Sequence, residues 1–147
     1  MIEDSENVAR AIFSPRMIVN GELQPETFRL RSIINEEYLS VMRMSIPSWT
    51  EDIKAIPQRK NRKLFGYAKM NVGDIRNIHL EGVTYNVEKC DHSFILSHAG
   101  IFITVRGEKL IGGLQLKNIN TATEQDYLVL AIQRELLDLA QKSLHIL

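Results

Sequence analysis

Thr121-Ala122-Thr123-Glu124-Gln125-Asp126-Tyr127-Leu128-Val129-Leu130-Ala131-Ile132-Gln133-Arg134-Glu135-Leu136-Leu137-Asp138-Leu139-Ala140-Gln141-Lys142-Ser143-Leu144 decides the fold class, because it holds neither glycine nor proline and opens on capping-box spacing. The threonine oxygen and the glutamate each satisfy an amide at a helix start, so a long helix is predicted from about 122 to 144. Leu128, Ile132, Leu136, Leu139, Ala140 and Leu144 follow helical spacing, while Gln133, Glu135, Asp138, Gln141 and Lys142 form the solvated side. Such a stripe needs an apolar surface to cover. Val129, Leu130 and Leu137 widen it, leaving room for a homodimer through 122–144, although burial on a sheet is the stronger expectation.

Upstream, the sequence supplies that sheet. Ile75 to Leu80, Val83 to Glu88, Phe94 to Leu96 and Ile101 to Val105 read as short strands that join Leu64 to Met70 in an antiparallel meander. Tyr38 to Met44 alternates, with Leu39 and Val41 on one side and Ser40 and Met42 on the other. Asn20-Gly21 between Ile18-Val19 and Glu22-Leu23 suits a tight turn with positive φ at both central residues. Pro25 opens a short helix over about 25–33. Ser48-Trp49-Thr50-Glu51 caps another from Trp49 to Ile56, which Pro57 ends. The segment from Val8 to Ile18, broken by Pro15, reads as a short element followed by a strand from Met17. The expected fold is α+β in one domain, 1–147: a curved, mostly antiparallel sheet, short N-terminal helices, and one long C-terminal helix packed on a sheet face.

Length and composition agree with a globular domain. The chain has 147 residues, 44% hydrophobic and 24% charged, enough to bury a core without metals or disulfides. Eighteen basic residues balance eighteen acidic ones, which argues against a globally polyanion-binding protein but leaves room for a local patch. Cys90 is the one cysteine, and the start Met1-Ile2-Glu3-Asp4 is acidic where a signal peptide is basic, so a cytoplasmic location is expected. No apolar run reaches the roughly 18 residues of a membrane span.

Two constellations carry chemistry. From Ile53 to Gly73 there are six cations and no acidic residue, centred on Arg59, Lys60, Arg62 and Lys63, with Phe65 and Tyr67 just beyond. Basic groups beside stacking rings suit a polyanion, whereas a solvated loop is the bland reading. The other is Asp91-His92-Ser93-Phe94-Ile95-Leu96-Ser97-His98. On an unbroken strand His92 and His98 face the same way but stand roughly 20 Å apart, too far to share a metal ion. A turn near Ser97 would bring them together as acid and base, with an arginine such as Arg106 clamping a phosphate. The His-x-Thr or His-x-Ser repeat of two-histidine phosphoesterases is absent.

No complete catalytic, nucleotide-binding or metal-binding signature surrounds either constellation, and Gly112-Gly113 has neither phosphate-loop spacing. His145 falls in the expected last helical turn and His79 in the expected 75–80 strand. The leading expectation is therefore a non-enzymatic binding or regulatory protein without cofactor or metal. It would engage a macromolecular partner, protein ahead of nucleic acid. The alternative is a small hydrolase or transferase acting on phosphate-containing substrates.

Overall fold

A computed structural model describes residues 1–90 and 93–147. In chain order the elements are β1 (Asn7–Ser14), β2 (Ile18–Val19), β3 (Glu22–Leu23), a 3-10 turn (Pro25–Phe28), β4 (Leu39–Arg43) and α1 (Trp49–Lys54). There follow β5 (Lys63–Asn71), α2 (Val72–Arg76), β6 (Val83–Lys89), β7 (His98–Val105), β8 (Glu108–Lys109), α3 (Ala122–Ala140), a second 3-10 turn (Gln141–Ser143) and β9 (Leu144–Ile146). The main sheet runs β6-β7-β4-β1-β5-β9, with β8 beside β7, and the pairings among the described residues are antiparallel. The architecture is α+β, a mostly antiparallel sheet with one long C-terminal helix.

Alternation divides the sheet residues between two apolar layers. Val8, Ile12, Leu39, Val41, Ala68, Met70, Tyr85, Val87, Ile101 and Ile103 face the larger core, which α3 closes with Ile132, Leu136, Leu137 and Ala140. Each fully buried Ile or Leu of this layer contributes about 2 kcal/mol. The Tyr85 hydroxyl donates to the Ile132 carbonyl at 3.1 Å, tying helix to sheet. Ala9, Ala11, Phe13 and Met42 face the other way, under Ile53 of α1 and Trp49.

Several local signals hold. Thr121 caps α3, its hydroxyl accepting from the Glu124 amide at 3.1 Å. Asn20 and Gly21 have φ of 52° and 80°, and they join β2 to β3 as a tight turn requires.

Other expectations are corrected. The 8–18 segment holds the long strand β1, which lies between β4 and β5, because Val8 and Ile12 serve one core and Ala9, Ala11 and Phe13 the other. The 25–33 helix shrinks to the 3-10 turn, since Arg29 is already extended at φ −90° and ψ 128°. Ser48 does not cap α1 with its side chain; its hydroxyl bonds Asp52 instead. The 75–80 strand is replaced by α2, which Asn71 caps by accepting from the Asp74 amide at 3.0 Å. The expected meander therefore breaks: β5 pairs with β1 and β9, and β6 with β7. Phe94 to Leu96 is no strand but an exposed loop.

The closing helix stops at Ala140, and Leu144 and His145 belong to β9. Pairing with β5 satisfies backbone groups that helix continuation would otherwise have used. Gln133, expected in solvent, is buried at 8% exposure.

Candidate functional site

The basic run folds into a tight hairpin. Arg59 and Arg62 exchange backbone hydrogen bonds of 2.9 and 3.0 Å, which leaves Lys60-Asn61 at the tip. The Gln58 side-chain Oε1 accepts from the Leu64 amide at 3.0 Å and closes the hairpin base. Because β1 pairs with β5 up to Ser14 and Lys63, the hairpin stands beside the Pro15-Arg16 turn. Between them lies a cleft of about 410 Å³ lined by Ser14, Pro15, Arg16, Lys60, Asn61, Arg62 and Lys63.

The cleft is electrostatically unbalanced. The Arg62 guanidinium lies 3.8 Å from the centre of the Phe13 ring, and its buried Nε has no hydrogen-bond partner among the described residues. Burial, then the charges of Arg31 and Arg59, pull this guanidinium below the usual arginine range, with Glu36 opposing. Among the described residues, no ion pair involves Arg59, Lys60, Arg62 or Lys63. Arg16 approaches Glu26 only at 3.9 Å with its side chain 81% exposed, a contact worth little in water.

The two aromatics do not join them. A bulge between Ile12 and Phe13 pairs Phe13 with Leu64, so Phe65 packs against the larger core while Tyr67 packs on the opposite layer. Tyr67 is occupied on two sides, edge-on to Trp49 at 5.0 Å and stacked on His145 at 4.8 Å. Arg16 and Ser14, by contrast, carry no sequence signal linking them to residues 59–63. Strand pairing alone brings them there.

Of the histidine pair, His92 lies outside the described residues. His98 opens β7, half-buried, with Nε2 3.0 Å from the Ser40 hydroxyl and a buried Nδ1 that has no partner among the described residues. Burial holds its pKa below the ordinary 6.5. Beside it, Tyr38 stands edge-on at 5.9 Å; burial first, then the Cys90 thiol, pushes the Tyr38 phenol up to about 12. Arg106 is eight residues further on, about 26 Å along an extended chain, in a turn with φ 50°. His98 and Arg106 are therefore not brought together. Ser97, buried, donates to the Asp52 carboxylate. Among the described residues no three His, Cys, Asp or Glu side chains converge as metal ligands would.

A larger cleft of about 670 Å³ opens between α3, residues 28–32 and the 110–115 loop. Val129 and Leu130, which the sequence offers to a partner, form part of its wall. Neither cleft is lined by His98 or Arg106. No family model, curated protein or solved structure matches the chain, and no described helix is long and apolar enough to cross a membrane.

Proposed function

We propose that the chain is a non-enzymatic, cytoplasmic binding or regulatory protein that captures an acidic segment of a partner protein on the 59–63 hairpin. The observation that carries this reading is the cleft where Arg16, Lys60, Arg62 and Lys63 meet, the last three forming no ion pair among the described residues. Unpaired like charges held close repel, and a carboxylate-bearing strand relieves that repulsion. A peptide is favoured over a nucleic acid because single-strand binding draws on exposed aromatic platforms, and Phe65 and Tyr67 are committed to opposite packing layers.

The test is fluorescence anisotropy with a labelled oligoglutamate peptide, in competition with an unlabelled thymidine oligonucleotide. Wild-type protein binds the peptide, more weakly as salt rises. The variant Lys60→Ala, Arg62→Met, Lys63→Ala loses about tenfold, as three charge contacts of about 0.5 kcal/mol each imply. Tighter, hairpin-dependent binding of the oligonucleotide overturns the choice of partner. Peptide binding unchanged in the variant overturns the site.

A further inference from the structure

Arg62 differs from the other partly buried arginines. Arg10 gives its donors to the Thr27 and Ser40 carbonyls, Arg43 to the Glu6 carboxylate, and Arg76 to Asp4, Asn86 and Val87. The Arg62 side chain, by contrast, forms no hydrogen bond and no ion pair among the described residues. Phe13, itself 4% exposed, lies against it with the ring centre 3.8 Å from the guanidinium carbon. Such a contact uses the face of the planar cation and leaves its in-plane N–H groups for another acceptor.

The surroundings of Arg62 add charge of the same sign. Arg16, Lys60 and Lys63 line the same cleft and no carboxylate lines it. The Ser14 hydroxyl, on a long 3.4 Å bond to the Lys63 carbonyl, is a further donor in the wall. A carboxylate brings one negative charge and two oxygens to such a place. A phosphate monoester brings nearly two charges and three acceptor oxygens, which suits a guanidinium fork flanked by further cations. Five of the seven lining residues are exposed, so a free ion is held on one side only, whereas a phosphate carried on a bound chain adds the chain's own contacts. No large apolar side chain is exposed on the hairpin to enter a lipid surface.

We propose that the acidic partner segment taken by the hairpin carries a phosphorylated serine or threonine, whose phosphate is gripped by the Arg62 guanidinium between Arg16 and Lys63. This rests on the hairpin reading above and names what the partner presents there. Association is then switched by phosphorylation of the partner, because the guanidinium fork is completed only by the modified side chain.

Fluorescence anisotropy with two labelled oligoglutamate peptides tests this, the peptides alike except for a central phosphoserine or glutamate. Wild-type protein binds the phosphoserine form about fivefold to tenfold tighter at about pH 7.5. The preference collapses at about pH 5, where the phosphate has lost its second charge and glutamate keeps its own. Arg62→Lys keeps a cation without the fork and brings the preference close to one. Equal affinity of wild type for the two peptides, or a preference that survives in Arg62→Lys, overturns this inference and leaves the acidic-segment reading standing. A glutamate peptide that fails to bind, beside a phosphoserine peptide held through the hairpin, overturns the broader reading and supports this one. Inorganic phosphate that displaces the labelled peptide as well as unlabelled phosphopeptide does assigns the cleft to a free ion. Tighter hairpin-dependent binding to phosphatidylcholine vesicles with about one-third phosphatidic acid assigns it to a lipid surface. Either result overturns the proposal.

Discussion

The Arg43 guanidinium grips the Glu6 carboxylate across the start of β1, with contacts of 3.0 and 3.1 Å between side chains that are 14% and 13% exposed. Burial alone would raise the Glu6 pKa. Hydrogen bonds from the Glu3 amide, Ser45 and Arg43, together with Arg43's charge, outweigh it and hold the carboxyl below its ordinary 4.5. A lowered folded pKa adds stability that is present above the unfolded value and lost as pH falls through the folded one. Glu6→Gln should cost about 2 kcal/mol at neutral pH in urea unfolding. That difference from wild type should shrink in acid, and a constant difference at all pH values would refute the linkage.

His98 supplies a second pH dependence, at higher pH. Because burial lowers its pKa below 6.5, the unfolded chain takes up the proton first, so stability falls as pH drops below 6.5 and levels off beneath the folded pKa. Replacing His98 with Gln should flatten this slope in thermal melts between about pH 8 and pH 5. An unchanged slope would assign it to another group.

Gly100 lies under an aromatic ring. An added Cβ would sit 2.7 Å from Tyr38 Cδ2 and 3.0 Å from Phe102 Cε2. Gly100→Ala should therefore lose about 1–3 kcal/mol through overpacking. In a double-mutant cycle with Tyr38→Ala most of that loss should return. Simple additivity of the two changes would show that the clash is relieved elsewhere.

Arg10 is partly buried and, among the described residues, its hydrogen bonds go to carbonyls, Ser40 at 2.7 Å and Thr27 at 2.9 Å; desolvation lowers its pKa to about 10. Arg10→Met strands both acceptors and should cost about 2–3 kcal/mol, with Arg10→Lys recovering part of it. The 25–28 turn should loosen as well, read as faster hydrogen exchange of the Thr27 and Arg29 amides. Equal stability of wild type and Arg10→Met would remove the anchoring role.

How legible each part was follows from how local its cause is. Thr121, three residues before Glu124, and Asn20-Gly21 act through bonds and dihedrals within their own turns, so neighbouring residues sufficed. Asn71-Val72-Gly73-Asp74 is an equally local cap, but it was not identified from sequence, because the apolar residues from Ile75 to Leu80 read as a strand. The basic run was visible as composition, whereas its meeting with Arg16 and its separation from Phe65 were not. A bulge at Ile12/Phe13 turns Phe65 to the other face, and a bulge is a property of two paired strands.

The amino-acid order by itself determined the α+β class, the capped helix α3, the β2–β3 turn, the alternation of β4 and the cluster of cations at 59–63. Contacts between distant residues decided the rest: the position of β1 between β4 and β5, the return of residues 144–146 as an edge strand, the burial of Gln133 and the walls of both clefts. The physical reason is that a cap or a tight turn is worth nearly its full free energy as soon as a few adjacent residues adopt it. Strand pairing and burial gain theirs only when segments tens of residues apart close on one another.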